Sequence, residues 1–191
     1  MNIVVRTANG NIIVRPDTTW EKDNEDLYLP DDVETLTYTP IMFVRVSRPG
    51  RSVGIKFVKR YYDYVNFGIL LYPENYIQVG EEGFACASCL DHTSFLPSPL
   101  YNPITIGVPG NQFVIYGEKD SKEKLFSFEP SGLEEIENAF VQASKHVYLR
   151  TGDMVAIELA ERKLLMRKED KKMNISGTWC NNPLLDFNII I

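Results

Sequence analysis

Cysteine is scarce: Cys86, Cys89 and Cys180 are the only three in 191 residues. They are too few, and odd in number, for the disulfide framework of a small secreted domain. A basic excess is missing as well, because 20 Lys and Arg stand against 26 Asp and Glu for a formal charge of −6. That balance does not favour phosphate backbones, so no nucleic-acid partner is expected. No apolar run approaches the ~20 residues of a membrane helix, and the opening MNIVVRTANG lacks the apolar centre of a secretory signal. The expectation is a cytoplasmic protein with reduced thiols and no membrane partner. The sequon Asn174-Ile175-Ser176 then carries no weight. Internal repeats and low-complexity stretches are absent. So is a Gly-rich phosphate loop, since Gly107–Gly110 is only a GxxG within a turn.

What is there is ordinary for a globular chain: 44% apolar and 24% charged residues. The length suits one domain, 1–191, with a short N-terminal segment (1–34) before a core (35–191). Asn9-Gly10 between the apolar stretches Asn2–Arg6 and Asn11–Arg15 is a hairpin signal. Asp17 to Asp32 is charged and reads as a surface loop. Leu36–Ser47 is a long strand, with Pro40 pointing to an edge, a bulge or a late start. Ser52 as an N-cap with Val53, Phe57, Val58 and Tyr61 behind it predicts a helix over 52–64. Val65–Tyr72 is a buried strand stopped by Pro73. Gly80–Gly83 and Asp91–Pro103 read as loops. Strands are expected at 104–108, 112–116, 125–128, 154–159, 163–166 and 184–191. Leu133, Ile136, Phe140 and Val147 form a helical stripe behind Ser131. About nine strands and two helices in irregular order make a β-rich α+β protein, not a doubly wound fold.

Few residues offer chemistry. Cys86-Ala87-Ser88-Cys89 is a CxxC without a second half, so two small buried thiols are the simpler expectation. His146 sits where a cation suits a helix C-terminus. Asp91-His92 with Ser94 lacks the nucleophile elbow of an acyl transferase. Glu21–Glu25 and Arg162–Lys172 read as solvated surface.

The order of segments is more telling. VRVSRPGRSVGIKFVKRYYDYVNFGILL (44–71), ASKHVYLRTGDMVAIE (143–158), LLDFNI (184–189) and VRPDTTW (14–20) follow one another in a familiar arrangement. Together they resemble the fumarylacetoacetate hydrolase family, and more narrowly its short bacterial 2-hydroxyhepta-2,4-diene-1,7-dioate isomerase-like branch. The likeness implies a rolled mixed β-sheet with two or three short helices, and a dimer. It also implies a divalent cation (Mg²⁺, Mn²⁺ or Ca²⁺) held by a Glu-x-Glu and an Asp, acting as a Lewis acid on a keto acid. Here Thr39-Pro40-Ile41 stands at the Glu-x-Glu and Leu70 at the Asp. Glu74-Asn75 replaces an Arg-Asp pair, Ser88 a Lys, and Ile157–Ala160 a Thr-Gly-Thr-Pro turn. Asp91 is kept. The N-terminal segment bearing the family's His-Glu dyad is shortened away.

Thr, Ile and Leu cannot replace the hydration of a doubly charged ion. The expectation is therefore a degenerate member with no metal cofactor and no catalytic residues, a binding or dimerisation module. Its partner would be a second copy or a paralogue, and its ligand a small carboxylic acid. The alternative is a divergent keto-acid hydrolase, isomerase or decarboxylase with a remodelled pocket. That pocket would use Arg15, Glu74 and Asp91, with Asp17 beside Arg15. Arg15 could equally form a surface ion pair with Asp17.

Overall fold

A computed structural model describes residues 1–191. The chain runs β1 (Asn2–Arg6), β2 (Ile12–Pro16), β3 (Trp20–Glu21), β4 (Leu27–Tyr28), β5 (Thr35–Val46), β6 (Tyr62–Pro73), α1 (Glu74–Ile77), α2 (Glu81–Ser88), β7 (Ser94–Phe95), β8 (Phe113–Glu118), β9 (Lys122–Phe128), α3 (Glu134–His146), β10 (Met154–Glu158), β11 (Lys163–Arg167), β12 (Lys172–Trp179) and β13 (Asn182–Ile190). Eight strands make a mixed sheet in the order β2-β1-β10-β5-β6-β7-β3, with β11 also on β5. Five make a second sheet, β4-β13-β12-β8-β9. The first 34 residues contribute strands to both sheets. The architecture is the β-rich α+β class with a curled mixed sheet and few helices.

The N-terminal hairpin turns at Gly10, whose φ of +83° suits a residue without Cβ. The pairing of β1 with β10 is parallel, so the sheet joins the chain's beginning to its last third. In the centre, the 12-residue strands β5 and β6 pair along their whole length. Pro40 lies inside β5, between two neighbours, where proline is normally excluded. The sheet accommodates it by changing partners. On that side β10 ends opposite Ile41 and β11 begins opposite Tyr38, so the missing N–H faces the gap between them. Pro40's carbonyl still accepts from Leu159 N–H at 2.8 Å.

The main core lies between the two sheets and under α3. Phe67 of β6 meets Phe113 at 4.9 Å and Trp179 at 4.5 Å, and Phe95 of β7 stacks on Phe187 at 3.6 Å. β7 can come this close to β6 because residue 68 is glycine: a Cβ there would stand 2.1 Å from the Phe95 carbonyl oxygen. On the opposite face of the first sheet, Ile3, Val5, Ile41, Phe43, Leu70, Tyr72, Met154 and Ala156 pack with Ala87 and Leu96. That second cluster supports the site.

Several expectations need correction. Residues 52–64 form no α-helix: Ile55–Arg60 is a 3-10 turn, and Tyr62 already begins β6. Ser52 has φ +52° and does not cap it. Its N–H instead donates to Ser144 O at 2.7 Å, and Val53 N–H to Ser144 Oγ at 2.9 Å, so bonds to α3 override the local pattern. Residues 81–83 are not loop but the first turn of the helix Glu81–Ser88, and Pro103–Thr105 is a 3-10 turn where a strand is expected. The 17–32 segment is not merely surface, because Thr19, Glu21, Leu27 and Leu29 are buried. α3 starts after Leu133 rather than at Ser131. β12 is a strand beyond those expected. No helix is long and apolar enough to cross a membrane.

Candidate functional site

A cleft of about 530 Å³ opens where β5 begins and β6 and β10 end, beneath α1 and α2, with the N-terminal hairpin on one side. Thr37, Glu74, Phe84, Glu158, Glu161 and Arg162 line it. Tyr72 lies behind this lining and is fully buried. Its hydroxyl donates to Glu158 Oε1 at 3.1 Å, while Glu158 Oε2 accepts from Ala8 N–H at 2.8 Å. Strand register brings Thr37 opposite Tyr72, so Thr37 Oγ1 sits 3.2 Å from the Tyr72 carbonyl and 3.1 Å from Glu74 Oε2. The Tyr72 and Phe84 rings stack at 6.1 Å. The Arg162 guanidinium lies 5.4 Å from the first ring and 5.5 Å from the second, with its Nε 4.0 Å from Glu74.

A second arginine approaches Tyr72 from inside. β2 turns Arg15 inward, fully buried, with its guanidinium 4.7 Å from the Tyr72 ring centre. Nη2 donates to the Leu71 carbonyl and the Thr93 hydroxyl, but Nε and Nη1 have no partner. Burial raises the Tyr72 hydroxyl to about 12, with Arg15 pulling it down and Glu158 pushing it up. Tyr72 is therefore a proton donor to Glu158 at neutral pH, not a base.

Next to this cleft lie the positions where the likeness places metal ligands. Thr39 pairs directly with Leu70 across β5 and β6, and Ile41 lies two residues along the same face. All three are fully buried.

No family model matches the sequence, and no curated protein matches it. Solved structures do. A fumarylacetoacetate hydrolase family protein from Yersinia pestis CO92 superposes with a TM-score of 0.76 at 14% identity, over 99% of this chain and 92% of that one. Fumarylpyruvate hydrolase from Pseudomonas aeruginosa, solved with Mn²⁺ and pyruvate, gives 0.78 at 12%, over 100% and 90%. 5-Carboxymethyl-2-hydroxymuconate delta-isomerase from Mycobacterium smegmatis gives 0.76 at 13%, over 99% and 78%. The fold is that of the fumarylacetoacetate hydrolase family.

Within that fold, the residues present do not fit the metal the likeness implies. Ile41 and Leu70 offer hydrocarbon, and the Thr39 hydroxyl already donates to the Ala160 carbonyl at 2.7 Å. A divalent ion there would lose its hydration with nothing in return. Nor do three His, Cys, Asp or Glu side chains converge anywhere else as a metal cluster.

The residues singled out from sequence are dispersed. Glu74 is on the cleft wall and Arg15 is buried behind it. Asp17 is exposed and pairs with the N-terminal ammonium at 3.5 Å, not with Arg15. Asp91 is exposed on the turn after α2, outside the cleft lining. His92 pairs with Glu21 at 3.1 Å, while Ser94 is bonded to Thr19, so no acyl-transfer set forms. Cys86 and Cys89 are exposed and free rather than buried, and His146 ends α3 as expected. Sequence reading missed Tyr72, Phe84 and Arg162, and treated Glu158 only as a lost turn. The signal that could have found Tyr72 is its spacing of two from Leu70, which puts both on one face.

Proposed function

We propose that this chain is a fumarylacetoacetate-hydrolase-fold protein without metal-dependent keto-acid chemistry, working as a binding or dimerisation module. The observation that supports this reading is the packing of Thr39, Ile41 and Leu70. They lie side by side on one sheet face, two of them inside an apolar cluster and the third with its hydroxyl engaged. A second copy, or a paralogue that keeps the carboxylates, is the partner this reading favours. The test is turnover: purified protein with millimolar Mg²⁺ or Mn²⁺ is given an acylpyruvate or oxaloacetate. The reading expects no rate above the metal-only blank. A rate of the order of 1 s⁻¹ or more overturns it.

The cleft supports a second reading, a hydrolase, isomerase or decarboxylase with a remodelled site. It has a volume fit for a small acid, one partly exposed guanidinium in Arg162, and a Tyr72–Glu158 hydrogen bond at its back. The solved neighbours include hydrolases and isomerases, which is consistent with it. On this reading Arg162→Ala and Glu158→Gln each lower turnover at least tenfold. Activity indifferent to both removes the cleft from consideration.

A further inference from the structure

The connection between β5 and β6 stands apart in charge. Residues 44–62 hold Arg45, Arg48, Arg51, Lys56, Lys59 and Arg60 but no Asp or Glu, so all 26 acidic side chains lie elsewhere. Arg45 is engaged by Asp63 in a two-pronged pair at 2.7 and 3.2 Å, and Lys59 lies 4.0 Å from Glu137. Arg48, Arg51, Lys56 and Arg60 are exposed and form no ion pair with any of the protein's carboxylates. Neighbouring backbone brings up more positive charge. Gly50 and Leu149 exchange two hydrogen bonds of 3.0 Å, which sets exposed Arg150 beside the segment, and the Ser52–Ser144 bond does the same for exposed Lys145.

Apolar groups are interleaved with these cations. Ile55 is 50% exposed and Phe57 52%. Arg48, Pro49, Phe57, Arg60 and Tyr61 line a cleft of about 400 Å³ that contains no carboxylate. The Arg60 guanidinium sits 5.5 Å from the Phe57 ring. The support is firm. Val53 and Val58 are buried, Ser47 N–H donates to the Tyr61 carbonyl at 2.8 Å, and Gly50 lies so close that a Cβ would stand 2.7 Å from Tyr61 Cε1.

Charge alone would suit any polyanion, and the cleft narrows the choice. Two aromatic side chains, Phe57 and Tyr61, and two arginines, Arg48 and Arg60, line it. Rings suit a planar base and guanidinium forks suit phosphates. A bilayer surface is flat and would leave the cleft unfilled, and two half-exposed apolar side chains are a weak anchor. We propose that this face binds single-stranded nucleic acid. Arg48, Arg51, Lys56 and Arg60 take the phosphates, and Phe57 with Tyr61 receives a base. The net charge of −6 does not argue against it, because a strand in contact feels mainly charges within the ~8 Å screening length of physiological salt. The face shares no residue with the cleft around Glu158, so the proposal stands apart from the reading of that site.

Fluorescence anisotropy of a labelled oligo-dT of about 15 nucleotides tests it. The proposal expects saturable binding at low salt, weakened about twentyfold by tripling the salt, as four phosphate contacts imply. Arg48→Ala with Arg60→Ala weakens it at least tenfold and Phe57→Ala about five- to tenfold. Lys124→Ala, on the exposed β9, leaves it unchanged. These side chains are exposed, so the variants keep the parent melting temperature. Should the double variant not fold, Phe57→Ala alone decides. The proposal is overturned by no binding at tens of micromolar protein, or by binding that these variants do not alter. It is equally overturned if phosphatidylserine vesicles or a free mononucleotide bind at this face and the oligonucleotide does not.

Discussion

At the scale of single residues, Leu70 and Arg15 are both fully buried but differ in what holds them. Leu70 is a packing residue in a closed apolar cluster, so Leu70→Ala costs about 2–5 kcal/mol in urea denaturation. Leu70→Asp costs at least as much, and millimolar Mn²⁺ does not restore the loss. Restoration by metal would mean that a carboxylate at 70 finds ligands the present packing does not offer. Arg15 behaves differently. Its guanidinium is fully buried with Nε and Nη1 unpartnered, so part of its desolvation is uncompensated. Arg15→Met keeps the contact with Tyr72 and is neutral or stabilising. Arg15→Ala opens a cavity and loses about 2–4 kcal/mol. If Met costs as much as Ala, the bonds to Leu71 and Thr93 outweigh desolvation.

Elements differ in how much of them the sequence discloses. β5 and β6 are legible because long β-branched and aromatic runs have few other solutions. α3 is legible by its stripe, with acids in the first turn and His146 in the last. Residues 52–64 mislead, because helical spacing was present but the backbone bonds to Ser144 and the start of β6 at Tyr62 compete with it. The buried Tyr62 hydroxyl then donates to Glu137 of α3 at 2.7 Å, a long-range contact no local window contains. β12 is hard to read although Met173, Ile175, Gly177 and Trp179 alternate inward, since the polar residues between them dilute its hydropathy. One element-scale prediction follows from the close approach of β6 and β7. Gly68→Ala forces the Phe95 carbonyl away, costs about 1–3 kcal/mol and loosens the β7–β3 edge. Amide exchange there should quicken while the β5–β6 centre stays protected.

For the whole molecule, the fold was readable in outline and the site only by its absences. The likeness located Thr39, Ile41 and Leu70, and the structure adds that they are neighbours. It could not show that Tyr72 joins Glu158 and Arg15, because three distant strands meet there. Net charge hid the basic face, because a sum over 191 residues discards position. Three tyrosines, Tyr62 and Tyr72 buried and Tyr76 partly so, give a global pH signature. Tyr72 is raised to about 12, Tyr76 also to about 12, and Tyr62 upward by burial and Glu137. Above about pH 10 the unfolded tyrosines release protons that the folded ones keep. The unfolded state then binds fewer protons, so stability is full below pH 10 and falls from 10 towards 12. Tyr72→Phe should flatten that fall in denaturation midpoints measured across the window.

We propose that this fold stands without a metal site. This is tested most directly by thermal melts in EDTA, in millimolar Mg²⁺ or Mn²⁺, and in metal with oxalate as an enolate mimic. A ligand at a hundred times its dissociation constant adds about 2.7 kcal/mol, several degrees for a domain of this size. The account predicts one melting temperature in all three conditions. A rise of several degrees only with metal and oxalate together would contradict it and place an intact metal site in this chain.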